Sequence, residues 1–167
     1  MILRPATLAD APAITDLYTR AFTATFGHLY SAADLALFLA GKTTAVFATE
    51  LTDPAYAAVI AEDGPRLLGF LKLGPPTLPG DTPSDSIELH QLYIDEAAKG
   101  SGVGPALYDW GLAEARRRGA RHIQLSVYVD NARARGFYQR RGFAKVGDYH
   151  FMVGNHADHD EVMRVTL

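Results

Sequence analysis

The chain has 167 residues, 48% of them apolar and 21% charged, with a formal net charge of −3. That length supports one domain with a real core and is short for two, and the acidic balance argues against broad electrostatic capture of nucleic acid. There is no cysteine, which excludes disulfides, a thiolate nucleophile and any zinc site built on Cys.

In chain order, Ile2–Arg4 reads as a short strand closed by Pro5. Thr7 or Asp10 can cap a helix through about Phe26, and Ser31 opens a second helix with Asp34 in its first turn and Leu35, Phe38 and Leu39 as its apolar stripe. A short helix over Ala45–Leu51 ends before Asp53-Pro54. Strands at Tyr56–Ala61 and Leu67–Leu73 flank the turn Glu62-Asp63-Gly64-Pro65. Gly74–Ser86, rich in Pro, Gly, Asp and Ser, is expected to be the most mobile loop.

Strand Ile87–Ile94 follows, then glycines at 100, 102 and 104, then a helix from about Val103 to Arg118 ended by Gly119. His122–Val129 is a strand. Asn131 can cap a helix reaching Arg140 or Arg141, with Gly142 in the left-handed position after it. Ala144–Val153 and Val162–Leu167 read as antiparallel strands around a polar loop, Gly154–Glu161. The order is mixed, with helices on both faces of one sheet. The N-terminus lacks a charged head and apolar signal core, and no apolar run is long enough to span a bilayer, so a cytoplasmic protein is expected.

The glycine turn is the chemically informative segment. Glycines let successive backbone N–H groups turn inward around an anion, and the helix that follows adds free N–H groups and its positive dipole end. A dinucleotide fingerprint needs G-x-G-x-x-G, but the third glycine comes one residue early and Pro105 holds the required place. Gly41-Lys42-Thr43 mimics the end of a P-loop, yet the upstream glycine it requires is Ala36. A tight strand-to-helix connection without a ligand stays open on the turn alone. The basic clusters Arg116–Arg118 and Arg133–Arg141 are read as partners of a bound polyanion.

A second segment narrows the choice. Lys99-x-x-Gly102-x-Gly104, followed by a strand and then by Asn131, Ala134, Phe137, Tyr138, Gly142 and Phe143, resembles the GCN5-related N-acetyltransferase superfamily. Lys99 stands where that family usually has Gln or Arg. The resemblance implies a single N-acetyltransferase domain over residues 1–167. Its fold class is α/β, a mixed, mostly antiparallel sheet splayed between the fourth and fifth strands with helices on both faces. It implies acetyl-CoA as acyl donor, with no metal. The pyrophosphate would lie on Lys99, Gly100, Ser101, Gly102, Val103 and Gly104, and the pantetheine arm along Leu92, Tyr93 and Ile94. A backbone N–H at Leu92 or Tyr93 would polarise the thioester. Tyr138 is implied as general acid beside the cofactor. Asn131 would lie near the cofactor arm, while serving equally as an N-cap. Glu88 is the first candidate base, acting through water, and His90 the second; Ala134, Phe137 and Phe143 read as core.

A base is required because an amine of pKa near 10 is neutral in only about one part in a thousand at pH 7, a penalty of about 4 kcal/mol. Phe22–Phe26, the Ser31–Leu39 helix and the tail Phe151 to Met163 resemble PaiA-type polyamine acetyltransferases. That implies a small-molecule polyamine-like acceptor, to which Asp81, Asp85, Glu88 and Asp148 could be attractive. A peptide N-terminal amine and a non-catalytic acyl-CoA-binding module are the alternatives. His156-x-x-His159 with Asp158 and Asp160 has metal-like spacing but reads as a solvated hairpin loop. Members of the family are often dimers, so a homodimer is compatible; neither a nucleic-acid nor a membrane partner is expected.

Overall fold

The computed structural model describes all of residues 1–167. Seven strands form one sheet: β1 (Ile2–Pro5), β2 (Ala57–Asp63), β3 (Arg66–Gly74), β4 (Ser86–Ile94), β5 (His122–Tyr128), β6 (Ala144–Val153) and β7 (His156–Thr166). Their order is β1-β2-β3-β4-β5-β7-β6. Every neighbouring pair is antiparallel except β4–β5.

β3 is buried from both sides, which its nearly continuous apolar run dictates. Leu71 and Leu73 enter the core cluster beneath α4 (Val103–Arg117), while Phe70 enters a second cluster beneath α1 (Ala11–Phe26). In α1, Ile14, Leu17, Tyr18, Ala21 and Phe22 recur at helical spacing and are buried. Its entry is set at Asp10, which accepts from the Thr7 N–H at 2.7 Å and takes a two-pronged contact from Arg4 at 2.8 Å.

The helices α2 (Ala32–Ala40) and α3 (Thr44–Thr52) are capped by Ser31 and Thr43, whose hydroxyls accept from Asp34 N–H and Val46 N–H. Ala32–Thr52 together spans 21 residues and contains an 18-residue window of mean hydropathy 1.2. The break at Gly41–Thr43 divides it into two helices of nine residues, each about 14 Å long against a bilayer core of about 30 Å.

The loop before β4 is tied at several points: Thr77 and Leu78 to Glu88, the Pro75 carbonyl to His90, Thr82 to Gln124, and the Asp81 carbonyl to Arg164. Two expectations are corrected. The expected polar loop at 154–161 is mostly strand. β7 begins at His156, the turn is Gly154-Asn155, and Asp34 of α2 holds it by accepting from Asn155 N–H at 2.8 Å. Polar residues alternate there as apolar ones do elsewhere, and Asp158 and Asp160 point inward. Finally, Arg116–Arg118 lie at the far end of α4 from the glycine turn, about 20 Å along the helix axis. Arg117 and Arg118 pair with Glu114, and Arg118 also donates to the carbonyls of Pro54, Ala55 and Tyr56.

Candidate active site

The parallel pairing of β4 with β5 covers Ser86–Glu88 against His122–Gln124 and then stops, although both strands continue. The sheet therefore splays between its fourth and fifth strands. Just beyond the split, β4 carries a bulge: Lys72 pairs with Gln91 and Leu73 with Leu89, leaving His90 as the extra residue.

Past the bulge, β4 has β3 along one edge and no strand along the other. The Asp95 N–H donates to the Leu68 carbonyl at 2.8 Å. Antiparallel ladders alternate, so Tyr93 and Gln91 also turn their main-chain groups to β3, and Leu92 and Ile94 turn theirs into the split. Of the residues expected to pair with the pantetheine arm, Leu92 and Ile94 have this orientation. The Tyr93 main chain is taken by β3, and its side chain instead packs on Tyr18 and Phe70.

At the end of β4 the chain enters the glycine turn. Gly100 and Gly102 sit at φ values of +87° and +88°, the left-handed region that favours glycine, and a Cβ at either would meet nothing within 4 Å. No hydrogen bond inside the protein is donated by the N–H of Gly100, Gly102, Val103 or Gly104. Four unsatisfied donors thus lie at the start of a 15-residue helix, with open space at Gly100 and Gly102. Gly104 permits the helix to approach β4: a Cβ there would lie 2.8 Å from the Ile94 Cδ1. The donors and the clearance fit a pyrophosphate. Lys99 is beside them with its ammonium on Glu96, and Ser101 donates to the Ala98 carbonyl.

The turn is anchored by Asp95. Its carboxylate accepts from Ala97 N–H, from Arg66 at 2.6 Å and from Arg20 at 3.0 Å, tying the turn to β3 and α1. The Arg20 hydrogen bond, with Arg66 beside it, holds this carboxyl below the usual carboxylate range.

Tyr138 lies on α5 (Ala132–Gln139), whose first turn is capped by the Asn131 side chain accepting from Ala134 N–H at 3.1 Å. Its ring packs on Phe137 and Phe143. Tyr138 is only 8% exposed, and its hydroxyl makes no hydrogen bond within the protein. Burial, reinforced by Tyr108, raises its pKa well above that of free tyrosine. Phe143 is core, and Ala134 and Phe137 pack against that core.

Glu88 is buried at the point where β4 and β5 part. Its carboxylate accepts from Thr77 N–H at 2.6 Å, Thr77 Oγ1 at 3.1 Å and Leu78 N–H at 3.1 Å. Its Oε1 also lies 3.4 Å from the Nδ1 of His90, so the two candidate bases are neighbours. His90 Nε2 contacts the Pro75 carbonyl at 2.9 Å, and burial lowers its pKa. Asp85 is engaged by His122, and Asp148 by Lys145 and His159.

The sequence reading missed the wall opposite β4. Asp158 and Asp160 are buried on the inner face of β7, with Asp160 paired in register with Tyr128 of β5. Tyr30 donates to Asp158, and Phe26 stands 6.3 Å from the Tyr128 ring. The Tyr93 hydroxyl lies within electrostatic reach of both Tyr138 and Asp160. The period-2 placement of Asp158, Asp160 and Val162 was the available signal, obscured by the interleaved histidines.

Residues 11–143 match the model of the Acetyltransferase (GNAT) family. An uncharacterised N-acetyltransferase of Mycobacterium tuberculosis is 32% identical over 157 residues, covering 93% of this chain and 97% of its own. The PaiA N-acetyltransferase of Thermoplasma acidophilum, solved in complex with coenzyme A, superposes with a TM-score of 0.79 at 16% identity over 99% of this chain and 98% of that one. The ribosomal-protein-alanine N-acetyltransferase of Brucella melitensis superposes with a TM-score of 0.70 at 23% identity over the full length of both. By the extent of the family match and of the mycobacterial relationship, the chain belongs to the acetyltransferase (GNAT) family.

Proposed function

We propose that this protein is a single-domain, cytoplasmic enzyme that transfers the acetyl group of acetyl-CoA to a primary amine of a small, polyamine-like molecule, by direct attack in a ternary complex. The observation that carries the reading is the split between β4 and β5. It offers the open main-chain edge of Leu92 and Ile94 on β4, the strand that leads into the four free N–H groups at Gly100–Gly104.

In this reading, Gly100, Gly102, Val103 and Gly104 hold the pyrophosphate, with Lys99 adding charge once it leaves Glu96. Leu92 and Ile94 pair with the pantetheine arm, and Asn131 sets the start of α5 beside it. The neutral amine attacks the thioester carbonyl carbon, and the Leu92 N–H stabilises the oxygen as it gains charge. The C–S bond then breaks, Tyr138 donates its phenol proton to the departing sulfur, and the phenolate takes up the proton that the acetylated nitrogen sheds. Because burial raises the Tyr138 pKa, the residue stays protonated throughout the working pH range. Glu88, acting through water, takes the first proton from the ammonium so that the amine attacks in its neutral form, and it also holds the 77–78 loop.

Coenzyme A release, measured with a panel of polyamines, monoamines and peptides, tests the proposal. Turnover with small polyamines is the expected result. Acetyl-CoA binding without turnover on any amine would favour the non-catalytic module, and turnover on peptides alone would favour an N-terminal amine acceptor.

A further inference from the structure

Most acids of low exposure in this protein have their charge compensated by Lys, Arg or backbone N–H groups; Asp158 and Asp160 do not. Asp10 is held by Arg4, Asp95 by Arg20 and Arg66, Glu114 by Arg117 and Arg118, and Glu161 by Arg135. Glu88 takes three hydrogen bonds from the 77–78 loop. Asp158 is 4% exposed and has Tyr30 and the His156 imidazole at 3.2 Å, but no Lys or Arg. Asp160 is 6% exposed; the Ser126 hydroxyl is its hydrogen-bonding neighbour, and no basic side chain forms a salt bridge with it. A buried carboxylate left without a counter-charge is costly, and such groups are normally paired.

The groups facing Asp160 come from four elements: Tyr93 on β4, Ser126 and Tyr128 on β5, Asp158 and His159 on β7, and Tyr30 in the turn after α1. Ser126 and His159 favour its ionised form, whereas burial and Asp158 oppose it. Neither Lys nor Arg is among them. Tyr30 donates to Asp158, and the Phe26 ring lies 6.3 Å from that of Tyr128; aromatic rings beside these carboxylates suit an alkyl-ammonium ligand.

Resting on the acetyltransferase reading above, we propose that Asp158 and Asp160 form the ammonium-binding wall of the acceptor pocket, and that the acceptor is a small aliphatic amine with at least two positive charges. Asp160, which shares the surroundings of the Tyr93 hydroxyl with Tyr138, faces the nitrogen to be acetylated. Asp158, beside the half-exposed His156, holds the second ammonium. Two charges are needed because the attacking nitrogen must become neutral before it reacts. The second ammonium keeps the acceptor bound while the first loses its proton.

The test is titration calorimetry of protein saturated with coenzyme A, using 1,4-diaminobutane, spermidine and butylamine as probes. The diamine and spermidine are expected to bind at least tenfold more tightly than butylamine. Asp158→Asn and Asp160→Asn should each weaken them at least tenfold while coenzyme A affinity stays within twofold. A smaller loss in either variant, or no binding of the diamine and spermidine to the wild type at millimolar concentration, overturns the assignment. Where an Asn variant does not fold, the Ser variant at the same position supplies the comparison. If the amines bind as stated but are never acetylated, the wall stands and the enzyme reading fails. If they are acetylated at unchanged KM by both variants, the enzyme reading stands and the wall fails.

Discussion

Asp160→Asn should make the protein without ligand more stable at neutral pH. Burial raises the Asp160 carboxyl from 3.8 to about 6 in the folded chain. A folded-state pKa above the unfolded one means that the protonated form contributes stability below about pH 3.8, and that this contribution is lost as pH rises through about 6. At about 1.4 kcal/mol per unit, the loss is about 3 kcal/mol at full ionisation. Asparagine cannot ionise, so the variant avoids that loss. For a chain of this length the gain corresponds to a melting temperature roughly 5–10 °C higher. Thermal unfolding of both proteins from pH 4 to 8 is the assay. The gap should open between pH 4 and 7 and plateau above. A variant less stable than the wild type at pH 7.5, or a gap independent of pH, would show that Asp160 has a structural partner and refute the reasoning. A saturating diamine should close part of the gap by stabilising only the wild type.

Three further outcomes are expected. Tyr138→Phe should lower kcat by about 100-fold or more with coenzyme A affinity within twofold; an unchanged kcat removes Tyr138 as the acid. Gly102→Val should abolish coenzyme A binding, because the turn needs φ of +88° at that residue, and retained micromolar affinity by calorimetry contradicts the phosphate site. Glu88→Gln should cost about 1–3 kcal/mol in urea unfolding, since the Thr77 and Leu78 N–H groups lose their charged acceptor. The pH optimum of turnover should also move upward, where the amine is neutral without help; if it stays put, another group is the base.

Local chemistry made much of the fold legible. Ser31, Thr43 and Asn131 cap helices where their side chains allow it, and Gly119 and Gly142 take positive φ where helices end. Reading Gly154–Glu161 as a loop failed because hydropathy counts Asp158 and Asp160 as solvent-seeking, while their burial depends on β5 and β6 flanking β7. The role imagined for Arg116–Arg118 failed for a related reason: adjacency in sequence to a glycine turn says nothing of which end of the intervening helix a residue occupies.

The sequence by itself determined the family, through Lys99–Gly104 and Asn131–Phe143, and with it the glycine cradle and the Tyr138 position. These are short-range patterns, set by φ, by capping and by helical spacing, and they survive without tertiary context. Tertiary structure decided which edge of β4 lies open, how the Glu88 oxygens are occupied, and which acids are buried. Those depend on pairing register between strands far apart in the chain, where a shift of one residue exchanges the inner face for the outer.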